Sequence, residues 1–204
     1  MSHAELSPVP VDRRHAEADR TPHMLEERIW QLEQQLVAMT AQAHRDPLTG
    51  LLNRRGFEMA YRIIDGQAIR TDSPIACIAI DLDDFKGIND ELGHLAGDAA
   101  LQAFAVRLTA CCRRQDVCAR FGGDEFILLL PGTNSEQARS LVERIRDPEN
   151  VVDCGSPSNY QIAFSAGIAH GIAQIPQVKL LAAADRALGE AKKAGKRRTV
   201  SIAV

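Results

Sequence analysis

The chain has 204 residues, 45% of them hydrophobic, 25% charged and 4% aromatic, with a formal net charge of -3. That length and balance fit one soluble globular domain with a short appendage. They exclude the concentrated basic surface that holds nucleic-acid backbones or anionic membranes, so a phosphate-bearing ligand must be met by a local site.

The first residues, 1–22, are polar, proline-bearing and aperiodic, and read as a disordered leader with no apolar core of a secretory signal. Leu25, Ile29, Leu32, Leu36, Met39 and Ala43 then recur at alternating spacings of four and three. This is the seam of a coiled coil over 23–45 that would join two copies of the chain, the alternative being an amphipathic helix lying on its own domain. From Asp46 the pattern becomes mixed. Asn53 is a candidate N-cap for a helix reaching about Ile69, and Pro74–Ile80 is a short buried strand ending at Asp81. A helix is expected over Gly97–Arg113, then strands Val117–Phe121 and Glu125–Leu130 joined by a glycine hairpin. A helix over Ser135–Arg146, a strand over Tyr160–Ala169, a helix over Val178–Ala194 and a strand from Thr199 complete an α+β plan, a mainly antiparallel sheet flanked by helices.

The longest uncharged stretch, Cys154–Val178, contains prolines, serines and glycines, so no membrane span is expected and the chain is placed in the cytoplasm. The five cysteines, Cys77, Cys111, Cys112, Cys118 and Cys154, are odd in number and lack CxxC spacing; they read as reduced, buried side chains. Only His94 and His170 lie beyond residue 45, so chemistry in the body does not rest on a histidine cluster. Carboxylates carry the signal instead. Asp81, Asp83 and Asp84 follow the apolar strand, while Asp124 and Glu125 occupy the hairpin after Gly122 and Gly123. If the two strands are neighbours, Asp81 and Asp124 converge at one sheet end, where like charges demand a proton or a cation. Oxygen ligands without thiolate or imidazole favour Mg²⁺ or Mn²⁺. Read alone, Asp83 and Asp84 are strand-ending residues and the glycines a turn.

Arg120–Phe126, reading RFGGDEF, resembles the signature of the GGDEF family, the diguanylate cyclases. Asp46–Arg55 (DPLTGLLNRR), Asp81–Asp90 (DLDDFKGIND) and Gly93-His94 with Gly97-Asp98 agree in order, and the resemblance runs from about Asp46 to the C-terminus. It implies a fold like that of nucleotide cyclases and polymerase palms, with 46–204 as the catalytic domain. It also implies condensation of two GTP into cyclic di-GMP with two Mg²⁺ or Mn²⁺ per active site. By that resemblance Asp81, Asp124 and the Leu82 carbonyl hold metal, and Glu125 positions or deprotonates the attacking hydroxyl. Asn89 and Asp98 read guanine, against the plainer reading of Asp98 as a helix N-cap. Phe85, Lys86, Gly122, Gly123, Lys192 and Lys196 contact substrate, Lys86 also serving catalysis. Arg113, Asp116 and Arg144 form an inhibitory product site of RxxD type. Gly189 departs from the family's tyrosine and Lys196 from its arginine. One domain carries one GTP, so catalysis requires a homodimer. An inactive cyclic di-GMP receptor and a dimeric scaffold are the alternatives, and a lone Gly-His turn gives His94 a structural role.

Overall fold

The computed structural model describes residues 20–71, 73–147, 162–172 and 174–204. Its elements are α1 (Arg20–His44), α2 (Arg54–Thr71), β1 (Pro74–Leu82), α3 (Phe85–Leu92), α4 (His94–Cys111), β2 (Val117–Gly122), β3 (Glu125–Pro131), α5 (Ser135–Arg146), β4 (Phe164–Ile172), α6 (Gln177–Lys193) and β5 (Thr199–Ala203). The chain divides into two units, Met1–Ala41 and Gln42–Val204. In the first, the described seam residues Leu25, Ile29, Leu32 and Met39 are all exposed in the single chain. The expected leader lies outside the described residues up to position 19, but Arg20–Pro22 are helical and belong to α1.

The second unit is built on one sheet of order β2-β3-β1-β4-β5. Three of its pairings are antiparallel and β4–β5 is parallel. The central strand β1 is apolar from Pro74 to Ile80 because both its faces are covered. Ala76, Ile78 and Ile80 join Phe104 and Leu108 of α4 and Val142 and Ile145 of α5 on one face. Ile75, Cys77 and Ala79 join Phe57 and Tyr61 of α2 and Leu180 and Leu188 of α6 on the other. On that second face α6 lies close against β4 at Gly167, where a β-carbon would overlap the backbone of Ala184, Ala187 and Leu188. Gly167 in turn pairs with Ala79 of β1.

Local chemistry explains most boundaries. Asn53 caps α2 by accepting from the Gly56 N–H at 3.0 Å, and Asn134 and Gln137 form a reciprocal capping box at the start of α5. Four expectations need correction. Helix α3 was not expected: it begins directly after Asp84, whose left-handed backbone (φ 59°) turns the chain out of β1. Helix α4 starts at His94, with Gly93 as its N-cap, and ends at Cys111 rather than Arg113. Asp98 therefore lies within the helix and is not its cap. Strand β4 begins at Phe164, because the last pair of its ladder with β1 is Leu82 with Phe164; the expected start at Tyr160 lies outside the described residues.

Cys77 and Cys111 are buried, Cys112 and Cys118 half-buried, all free thiols, while Cys154 lies outside the described residues. No helix among the described residues is long and apolar enough to cross a membrane.

Candidate active site

Strands β1 and β3 are direct neighbours, and their register sets Asp81 opposite Glu125. Just beyond the ladder, the Leu82 N–H donates to the Asp124 carbonyl at 3.3 Å. The two acidic segments thus meet at one sheet end. Asp81 is 8% exposed, and burial pushes its carboxyl above the ordinary carboxylate range. The Lys192 ammonium opposes that rise, while the charges of Asp124 and Asp83 add to it. Lys192, in the last turn of α6, reaches an Asp81 oxygen at 2.7 Å.

Neighbouring aspartates have different tasks. Asp83 is buried and fully engaged: it accepts from Ser165 Oγ at 2.8 Å and from the Arg197 N–H at 3.0 Å. That grip holds a turn in which Gly195, Lys196 and Arg197 all have positive φ, the two non-glycine positions at 61° and 52°. The turn presents Lys196, whose Nζ meets Asp84 at 2.6 Å on the surface and holds that carboxyl below its usual range. Ser165, fully buried at this junction, carried no signal in the sequence that would mark it.

The hairpin is positioned by Arg120. Its guanidinium donates to the Gly123 carbonyl through Nε at 3.0 Å and Nη2 at 2.8 Å, and pairs with Asp46 at 2.9 Å. Asp46 also accepts from the Thr49 N–H and hydroxyl at 2.9 and 2.6 Å. Burial pulls the Asp46 carboxyl up, but these hydrogen bonds prevail and leave it below the usual range. Gly122 and Gly123, with φ of 145° and 53°, are exposed at the turn, and nothing lies within 4 Å of a β-carbon on either.

On the other side of Asp84, Phe85 and Lys86 open α3 with backbone amides that precede the helix's own hydrogen bonds. Phe85 packs against the core and Lys86 is exposed. Asn89 lies on α3 and Asp98 on α4, and the two helices meet through Gly97: a β-carbon there would overlap Asn89 Oδ1 and lie 3.2 Å from Phe85 Cζ. His94 is exposed at the first position of α4.

Arg113, Asp116 and Arg144 converge elsewhere, lining a cavity of about 300 Å³ with Thr133, Glu136 and Ser140. The Arg113 N–H donates to Asp116 Oδ2 at 2.7 Å, and Arg144 Nη2 donates to the Cys111 carbonyl at 2.6 Å. Asp116 Oδ1 is buried with no hydrogen-bond partner among the described residues. Burial raises the Asp116 carboxyl, against the pull of the Arg113 hydrogen bond and the two arginine charges.

A divalent cation fits the first site: two carboxylates converge beside a backbone segment, and the buried one already carries a cationic partner. Among the described residues no group of three or more His, Cys, Asp or Glu side chains forms a ready cage. An ion there would complete its shell with backbone, water and substrate oxygens, the habit of Mg²⁺ at phosphate sites.

The family model for "Diguanylate cyclase, GGDEF domain" matches residues 43–198. The probable diguanylate cyclase DgcC of Escherichia coli is 36% identical over 156 residues, 76% of this chain and 42% of that one. Diguanylate cyclase DgcP of Pseudomonas aeruginosa is 39% identical over 158 residues, 75% of this chain and 23% of its own. The chain thus spans less than half the length of these curated relatives. Among solved structures, the coiled coil and GGDEF domain of DgcB from Caulobacter crescentus in complex with c-di-GMP superposes with a TM-score of 0.79 at 25% identity, covering 92% of this chain and 99% of that one. The active GGEEF domain of a diguanylate cyclase from Vibrio cholerae gives 0.66 at 33% identity, over 74% and 97%.

Proposed function

The chain belongs to the GGDEF, diguanylate cyclase, family, and from that premise we propose that it condenses two GTP into cyclic di-GMP and two pyrophosphates. The observation that carries this reading is the meeting of Asp81 with the Asp124-Glu125 hairpin at one end of the β1–β3 ladder. Asp81, Asp124 and the Leu82 carbonyl hold two Mg²⁺ or Mn²⁺. When bound, these ions lower the pKa of the attacking 3′-hydroxyl and neutralise charge on the departing pyrophosphate.

The chain's own residues supply binding and orientation. The first amides of α3, at Phe85 and Lys86, point toward an anion with the favourable end of the helix dipole. The Lys86, Lys192 and Lys196 side chains add positive charge for the triphosphate, the last two from ion pairs with Asp81 and Asp84, which accounts for its recognition by a chain of net charge -3. Gly122 and Gly123 leave the hairpin free of β-carbons, so backbone lies against the nucleotide. The Asp98 carboxylate accepts from guanine N1–H and N2–H, and the Asn89 amide bonds the same base, a pattern adenine does not satisfy. Glu125 accepts the proton of the 3′-hydroxyl or orients it.

Each domain supplies one nucleotide, so two must face each other. The exposed seam of α1 supports a parallel homodimer that raises the effective concentration for that encounter. The Arg113–Asp116–Arg144 cavity fits product inhibition, because two guanidinium forks suit phosphates and guanine edges and the orphaned Asp116 oxygen awaits a donor. Purified protein incubated with GTP and Mg²⁺ should yield cyclic di-GMP by liquid chromatography. Asp124→Ala should yield none while keeping the wild-type circular dichroism spectrum. Absence of product from folded wild type across protein concentrations would reject the enzyme reading.

A further inference from the structure

Lys192 stands in two incompatible places. As a phosphate ligand it belongs with the substrate, yet its ammonium lies 2.7 Å from Asp81, the buried carboxylate proposed to hold metal. The contact follows from the fold. Gly167 lets α6 lie close against β4, and Gly167 sits two register positions from Ser165, the partner of Asp81. Leu188 packs at Gly167, and Lys192, one helical turn further on, arrives over the end of β1. The last turn of a helix also favours a cation. Asp81 has Asp83 and Asp124 as negative neighbours, and the charge of Lys196 also reaches it, but Lys192 is the cation in direct contact with it among the described residues. Lys196, the next lysine, is engaged with Asp84.

We infer that Lys192 is the resident counter-cation of Asp81, competing with divalent metal for that carboxylate and released from it when nucleotide arrives. This rests on Asp81 being a metal ligand. Paired with Asp81, Lys192 offsets the mutual repulsion of the acidic cluster. The same contact opposes loading of a bare ion, both by occupying the oxygen and by like-charge repulsion. A metal–triphosphate complex removes the obstacle, because its phosphates offer Lys192 a replacement anion within reach. Metal and nucleotide therefore load together, and free divalent ion alone binds poorly. Lys192 acts here as a positioning residue through Asp81.

The test titrates Mn²⁺ alone, without nucleotide, into wild type, Lys192→Met, Lys192→Arg and Asp81→Asn, reading bound ion by water-proton relaxation and folding by circular dichroism. Lys192→Met keeps the aliphatic stem and should bind Mn²⁺ about three- to ten-fold more tightly, the range for removing one partly buried like charge. Lys192→Arg should match wild type, and Asp81→Asn should lose the site. In parallel, acylation of Lys192 in the wild type by an N-hydroxysuccinimide ester, followed by mass spectrometry, should accelerate at Mn²⁺ concentrations that fill the wild-type site in the first titration. That measurement stands even if Lys192→Met fails to fold. Unchanged or weaker Mn²⁺ binding by folded Lys192→Met, or a labelling rate indifferent to Mn²⁺, overturns the inference while leaving the metal site intact. Wild-type Mn²⁺ affinity in Asp81→Asn would instead remove the metal assignment, and the inference with it.

Discussion

Replacing Gly97 by alanine should separate stability from substrate recognition. Gly97 is buried within α4, and a β-carbon there would overlap Asn89 Oδ1 and lie 2.9 Å from Asn89 Cγ. The colliding atoms are the end of a side chain rather than backbone, so Asn89 can rotate away. Glycine to alanine within a helix gains about 1 kcal/mol in propensity, which offsets the cost of moving Asn89 and packing nearer Phe85. For a chain of this size 1 kcal/mol corresponds to about 2–4 °C, so the melting temperature should stay within that range of wild type. The displaced amide would lose the hydrogen bond to guanine proposed for it, worth about 0.5–1.5 kcal/mol, so KM for GTP should rise roughly two- to ten-fold. Steady-state pyrophosphate release with varied GTP, beside differential scanning fluorimetry, measures both. Asn89→Ala should raise KM comparably, and the double variant should be no worse than either single one, since both remove the same contact. If Asn89→Ala raises KM but Gly97→Ala does not, the reasoning about displacement is wrong.

Arg113→Ala should raise the product inhibition constant about ten- to hundred-fold, the loss expected for charged hydrogen bonds, with initial rates at low product unchanged; an unaltered constant refutes the inhibitory site. Arg120→Ala removes one ion pair and two bonds to Gly123 and should cost about 2–3 kcal/mol, seen as a lowered urea midpoint. Arg120→Lys should recover only part, because it lacks the fork. Asp46, whose folded carboxyl lies below its unfolded value of 3.8, contributes stability fully present above that value and lost as pH falls through the lowered folded one. The drop in urea midpoint on acidification should accordingly be shallower in Asp46→Asn than in wild type, and parallel curves would refute the assignment.

The ordered acidic and glycine blocks made the sheet-end site legible, because a carboxylate following a buried strand is conspicuous against apolar neighbours. Which acid does what was not legible. Asp81, Asp83 and Asp84 are alike in sequence, and only the fold gives the first to Lys192, the second to Ser165 and Arg197, and the third to Lys196. Each of those partners comes from 82 residues or more away along the chain. Helix α3 was hidden for a local reason: it has only eight residues including Gly87, and its apolar stripe is just Phe85, Ile88 and Leu92, none of them fully buried. The early start of α4 was masked by its N-cap, a positive-φ glycine that contributes no side-chain cap. At Gly189, where the family carries a tyrosine, nothing lies within 4 Å of a β-carbon, so a side chain there would start in open space.

The capping of α2 by Asn53 has a consequence for anyone recombining this domain with other inputs. The Asn53 amide donates to the carbonyls of Ala43 and Arg45 at 2.9 and 3.1 Å, and its backbone N–H donates to that of His44 at 2.9 Å. Three successive carbonyls at the exit of α1 are therefore fastened to the residue that opens α2, and Gly56 lies so close to His44 that a β-carbon would overlap its oxygen. The transplantable cassette begins before this clasp. A graft joined after Arg45 would cut through the clasp, whereas one joined upstream of Gln42 leaves it whole: whole heptads change the length at constant seam phase, and insertions of three or four residues change the phase itself.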